Sequence, residues 1–374
     1  MLSGATEEAT VYSVVLKIFL NTMQLNQLSM SLDFKWGSPL DEILRTQDQV
    51  LSKAQMIPDV GCVVSISPVY GKALSLSTIL TIMLPVLVYY SHKSARANRS
   101  SDERFLRSDS VVGGLVFILF LMYPTLVLST LDLFVCVDGG ATKQDTFLRA
   151  DMRQHCFSTE HKVMVRVVGT WMWVLIFAIP TCVFFFLGRE KNHLNDVPVL
   201  RRFGYLYKGY RVNTFMWEGV VLSRKVAVTV LSVIFRGFFI TQAVFLLIII
   251  YCSAVLIGKY RPFEEASERR DRKAEAQLGV IASNFIKHAA THRNELSNKK
   301  SFSEKVTKYL DHVDLNTLEA GSLSVSLFIF SFGIILSLDS ITELQAQALT
   351  YLILILNFGY ILYMMVRVYI VLVL

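Results

Sequence analysis

Apolar residues along this chain gather into runs of about twenty, set apart by polar and charged connections. A run of that length crosses the hydrocarbon of a bilayer as a helix. Eight spans are predicted, at 10–32, 72–91, 110–133, 163–187, 218–237, 239–258, 316–338 and 345–368. The fold class that follows is all-α, a polytopic transmembrane helical bundle. In order come a short tail at 1–9, six spans over 10–258, a charged connection at 259–315 and a final hairpin at 316–374. The long connections within the first six spans are 33–71 and 134–160.

The first span is the most polar. Ser13, Lys17, Asn21, Gln24, Gln27 and Ser31 fall on one stripe of about 120° when each residue advances by about 100°. Polar side chains at hydrocarbon depth must face protein or water. The stripe therefore either hydrogen-bonds to neighbouring helices or lines a permeation path, with Lys17, Asn21, Gln24 and Gln27 as its candidate residues. A second unusual stretch runs from Phe203 to Lys225. Tyr205, Tyr207, Tyr210 and Trp217 alternate there with Lys208 and Arg211, a mixture suited to the headgroup layer. The following apolar run takes Glu218, Arg224 and Lys225 into the bundle. Glu218 and Lys225 share a helix face, and charges at that depth need partners or a wet cavity.

Composition agrees with a membrane protein: 53% of residues are hydrophobic, and mean hydropathy is +0.46. The net charge of +7 is carried by connections rather than by one basic face, which argues against nucleic acid as a partner. The connections 91–110, 188–217 and 259–315 hold twenty-three Lys and Arg; the alternate ones hold seven. The positive-inside rule places the first set in the cytosol, and both termini with it. Glu7 and Glu8, and a glycosylation sequon at Asn98, pull the other way, but acidic residues weigh little in that rule. The expected location is the plasma membrane or an endomembrane, with lipid as the first partner. Residues 1–10 lack the basic and apolar regions of a secretory signal. The apolar run reaching Leu374 suggests a piece of a longer polypeptide.

This topology puts Cys62, Cys136 and Cys156 outside. Cys136 and Cys156 share one loop and are the preferred disulfide pair, with Cys62 as a competing partner. Leu40–Met56 reads as an amphipathic helix, with Leu40, Ile43, Leu44, Val50 and Leu51 among acids and amides. It would lie on the membrane surface or dip in as a pore helix. The connections at Arg236-Gly237 and Asp339–Glu343 are too short for a pore loop, and no potassium-type filter is present. Arg166 alone does not make a voltage sensor. Residues 264–293 suggest a helix with mixed charge on a solvated face. Asn316 and Glu319 suggest a capping box at the seventh span.

Chemistry beyond transport is not indicated. His288 and His292 are four apart, but Ala289 stands where a zinc protease needs Glu, so they read as surface histidines. The cysteines lack zinc-site spacing. No phosphate-binding glycine loop or nucleophile elbow occurs. The expectation is no enzyme, no cofactor and no metal.

Several blocks together carry a family resemblance. They are Phe203-Gly204-Tyr205-Leu206-Tyr207, then Tyr210-Arg211, Trp217-Glu218 and Arg224-Lys225. The polar segment Leu20–Leu28 with Asn21 and Gln24, the loop Cys136–Cys156 with Leu148 and Asp151, Tyr260-Arg261-Pro262-Phe263, and Asn316–Glu319 add to it. Over roughly 10–365 the chain resembles the TRP-like, polycystin-like multi-pass membrane proteins of protists, algae, oomycetes and fungi. Several of those carry a large cysteine-rich ectodomain before the membrane part. The resemblance implies a cation channel or sensor working as an oligomer. Asn21, Gln24 and Gln27 would face the path. A cytosolic collar of Tyr207, Arg211, Trp217, Glu218, Arg224 and Lys225 would couple cytosolic or lipid state to the helices. A channel of the usual TRP plan has a pore helix and filter between its last two spans, and the short Asp339–Glu343 hairpin departs from that. The alternatives are a non-conducting scaffold or anchor subunit of a larger assembly, and a multi-pass receptor or transporter.

Overall fold

A computed structural model describes residues 14–26, 40–46, 49, 66–96, 103–139, 146–194, 196–235, 238–264, 268, 314–337 and 341–373. Helix α1 covers 14–26 and α2 covers 40–46. Then come α3 (Pro68–Arg96), α4 (Glu103–Asp132), α5 (Thr159–Arg189) and α6 (Val197–Tyr207). The chain continues through α7 (Trp217–Ile234), α8 (Phe239–Tyr260), α9 (Leu315–Leu336) and α10 (Glu343–Val373). The expectation of an all-α polytopic helical bundle holds.

The span count is lower than expected. Among the described residues, six helices are long and apolar enough to cross a membrane: Pro68–Ser91, Asp109–Asp132, Thr159–Arg189, Ile240–Tyr260, Leu315–Leu336 and Glu343–Arg367. The other two predicted spans also contain helix but do not reach that standard. Helix α7 has 18 residues and includes Glu218, Arg224 and Lys225. Helix α1 is described over 14–26 only and carries Lys17, Asn21 and Gln24.

Two cores share one wall. Leu76, Leu119, Leu126, Met172, Leu175 and Leu206 join α3, α4, α5 and α6. Val15, Ile18, Leu246, Leu323 and Phe330 join α1, α8 and α9. Helix α7 runs between them, since Leu222 and Val233 enter the first core while Val221 and Val228 enter the second. In lipid, such packing is set by shape and hydrogen bonding more than by water exclusion. Gly113 illustrates this. A Cβ there would collide with the Arg201 backbone oxygen, so α4 and α6 cross at backbone contact. The Arg202–Asp109 ion pair, at 2.6 Å, pins the same crossing.

Helix α2 packs on protein. Leu40 and Leu44, one turn apart, are buried with Ile329, Leu336 and Ile353 of α9 and α10. Residues 47–48 and 50–56 of the expected amphipathic helix lie outside the described residues. Helix α5 is continuous, with a single π turn at Val165–Gly169. Ser158 caps its start by accepting a hydrogen bond from the His161 amide at 3.2 Å.

The connection after α4 forms a small antiparallel sheet, in the order β1 (Cys136–Asp138), β2 (Thr146–Leu148), β3 (Asp151–His155). Cys136 pairs opposite Leu148, and Phe147 opposite His155. The disulfide Cys136–Cys156 closes the unit, which Ser67 ties to α3 by donating to Asp151 at 2.6 Å. That hydrogen bond is the largest influence holding the Asp151 carboxyl below its ordinary range. Closing a loop of this length stabilises by about 3 kcal/mol in the chain-entropy model. Cys136→Ser with Cys156→Ser is therefore expected to speed proteolysis and amide exchange across 134–160. Helices α7–α10 should keep wild-type protection. Equal protection of the loop in both proteins would show that the sheet holds without the crosslink.

Candidate functional site

Three sequence blocks meet at one end of the bundle. Helix α6 stops at Tyr207, and Gly209 turns the chain with φ of +93°, a conformation that favours glycine. A Cβ at Gly209 would also collide with Val14, so the turn sits directly on α1. Tyr210 then forms an antiparallel bridge with Phe263, their rings 4.8 Å apart. The Arg211 amide donates to the Pro262 carbonyl at 2.8 Å, and the Glu264 amide to the Gly209 carbonyl at 3.0 Å. Asn316 completes the stitch. Its side chain accepts from the Phe263 amide and donates to the Phe263 carbonyl, each at 3.0 Å. Buried backbone groups are thus satisfied where α6, α7, α8 and α9 converge.

Beneath the stitch lies a cluster of buried charges. The Lys17 ammonium donates to Glu218 Oε2 at 2.8 Å, with both side chains almost fully buried. Tyr210 donates its hydroxyl to the same oxygen at 2.9 Å. The ammonium also lies 4.7 Å from the centre of the Tyr205 ring and 5.0 Å from that of Tyr210. A desolvated cation over aromatic faces gains about 2 kcal/mol beyond the ion pair. Burial, then the Glu218 carboxylate, hold the Tyr210 phenol well above its ordinary range, which keeps it a donor.

Two turns further along α7, Arg224 Nη2 donates to Glu319 Oε1 of α9 at 3.2 Å. Among the described residues the buried Arg224 Nε has no hydrogen-bond partner. Half-buried Lys225 adjoins both pairs closely enough to feel all four charges. Helix α7 therefore carries a carboxylate that holds α1 and a guanidinium that holds α9. Breaking either pair leaves an uncompensated charge in a medium that solvates it poorly.

The chain matches no protein-family model, no curated protein and no solved structure.

The residues singled out in the sequence separate into groups. Lys17, Glu218, Arg224 and Lys225 belong to the cluster, while Trp217 is buried beside Tyr260, their rings 5.9 Å apart. Tyr207 lies apart from the cluster, donating to the Leu194 carbonyl at 2.6 Å. Arg211 is peripheral and pairs with Glu268 at 2.9 Å. Asn21 and Gln24 are buried in the bundle, and Gln24 Oε1 has no hydrogen-bond partner among the described residues. Further along α1, Asn26 donates to Asn357 of α10 at 2.9 Å. Gln27 and Ser31, His288 and His292, Cys62, and nearly all of the charged connection after Glu264 lie outside the described residues.

Glu319 is the main correction. The expected capping box is absent, because Asp314 caps α9, accepting from the Asn316 amide at 3.0 Å and the Thr317 hydroxyl at 2.6 Å. Glu319 instead faces inward to Arg224. The available signal was the pairing problem itself: three cations and two carboxylates within apolar runs must find one another.

Proposed function

We propose that this chain is a TRP-like multi-pass membrane sensor or cation-channel subunit that assembles as an oligomer. The carrying observation is the buried pair of ion pairs, Lys17–Glu218 and Arg224–Glu319, which joins three helices directly under the Tyr210–Phe263 stitch. In this reading a cytosolic or lipid stimulus acting on the Tyr210–Phe263 stitch tilts α7. The tilt exchanges one arrangement of the charge pairs for another. Both termini and the basic connections face the cytosol. The role given to Asn21 and Gln24 is to support helix contacts beside any cation path.

Purified protein in planar bilayers is the test. Cation current is expected under stretch, voltage or cytosolic calcium. Glu218→Gln is expected to shift the stimulus needed for half-activation while leaving unitary conductance unchanged. Silence under all three stimuli would remove the channel reading.

A second reading, a non-conducting scaffold or anchor subunit, is favoured by one observation. The Lys17 ammonium, in the polar stripe of α1, is met by a protein partner, Glu218, rather than by an open path. It expects electrical silence together with stable recovery of partner subunits from native membranes.

A further inference from the structure

At the same end of the bundle, a cleft of about 400 Å³ opens between the start of α9 and the last turns of α10. Its chemistry comes from Asp314, Thr317, Gly321, Tyr360, Tyr363 and Arg367. The candidate spans bounding it begin at Leu315 and end at Arg367, so the cleft lies toward the polar end of both. That volume falls within the range of small-molecule sites.

The lining is built rather than incidental. The Tyr360 hydroxyl donates to the Leu318 carbonyl at 2.7 Å, fixing that ring as a wall. Arg367 lies over the Tyr363 ring, 5.1 Å from its centre, and the two tyrosine rings are 6.1 Å apart. Gly321 leaves open the space that a side chain would fill in front of Tyr360. Burial opposes ionisation of Asp314. Hydrogen bonds from Thr317 and the Asn316 and Thr317 amides, with Arg261 at 3.6 Å, nevertheless hold its carboxyl below the ordinary range. The lining thus presents one carboxylate, one guanidinium and two aromatic faces. A ligand of a single sign would meet repulsion at one wall; a dipolar one meets complementary charge at both.

We propose that this cleft holds the headgroup of a zwitterionic phospholipid, phosphoethanolamine or phosphocholine, from the surrounding leaflet. The phosphate faces Arg367. The ammonium faces Asp314 and the tyrosine rings, which favour a cation. The acyl chains leave along the apolar flank of α9 and α10. This assignment is independent of whether the protein conducts.

The test uses the full chain in nanodiscs of equal parts phosphatidylcholine, phosphatidylethanolamine and phosphatidylserine. Native mass spectrometry reads the lipid retained after gentle detergent extraction. Wild-type protein is expected to retain phosphatidylethanolamine or phosphatidylcholine. Arg367→Gln is expected to lower retention by about tenfold or more, the loss of one charge-assisted contact. Gly321→Leu, which fills the cleft, and Tyr363→Ala, at a half-exposed ring, should lower it as well. These two keep the test open should Arg367→Gln fail to fold. Preferential retention of phosphatidylserine, or equal retention by wild type and the folded variants, would overturn the assignment.

Discussion

Lys17→Met is expected to destabilise the folded bundle by about 3–5 kcal/mol, the usual consequence of stranding a buried charge. The remaining Glu218 carboxylate would keep the Tyr210 hydroxyl as a donor but lose its ammonium. Glu218→Met strands Lys17 in turn, leaving it only the faces of Tyr205 and Tyr210. The double variant Lys17→Met/Glu218→Met should recover most of the loss, since apolar groups of similar size commonly replace a buried pair at little cost. A double-mutant cycle should return a coupling of about 5 kcal/mol or more, because the double variant avoids most of both single losses. The readout is equilibrium unfolding in mixed micelles. Strictly additive single effects would mean that the two residues do not depend on each other.

Glu319→Leu should have an effect of similar size, about 3–5 kcal/mol, for a related reason. Arg224 already has a buried Nε without a hydrogen-bond partner among the described residues, and this change removes the carboxylate that meets its Nη2. Helix α9 would still be held one turn earlier, because Asn316 bonds the Phe263 backbone independently of Glu319. The loss should therefore appear as faster amide exchange in the middle of α7 and α9, with the stitch itself still protected. Arg224→Met/Glu319→Leu should restore much of the stability. Unchanged unfolding of Glu319→Leu would place this pair among interactions worth little.

The two effects trace back to features legible in the chain to different degrees. Runs of apolar residues announced the six long helices, because length and hydropathy are local properties. The pairing of Cys136 with Cys156 was legible too, since the two share one short loop. Lys17 and Glu218 each announced the need for a partner. Nothing local said that they would find each other, because 201 residues separate them. Glu319 was misread for a physical reason. Spacing three after Asn316 is what a capping box requires, but Asp314 lay two residues earlier and took the cap. That freed both Asn316 and Glu319 for tertiary contacts. Helix α2 looked amphipathic, yet only packing could reveal that α9 and α10 meet its apolar side.

The clamp of Asn316 on Phe263 brings together positions 53 residues apart in the chain. The chain between them begins and ends at this one contact. Closing a loop grows harder only slowly with its length, by about 0.6 kcal/mol per doubling. The clamp therefore fixes both ends of that stretch whatever its length. Evolution can lengthen or shorten the sequence between Phe263 and Asn316 at little entropic cost to the clamp.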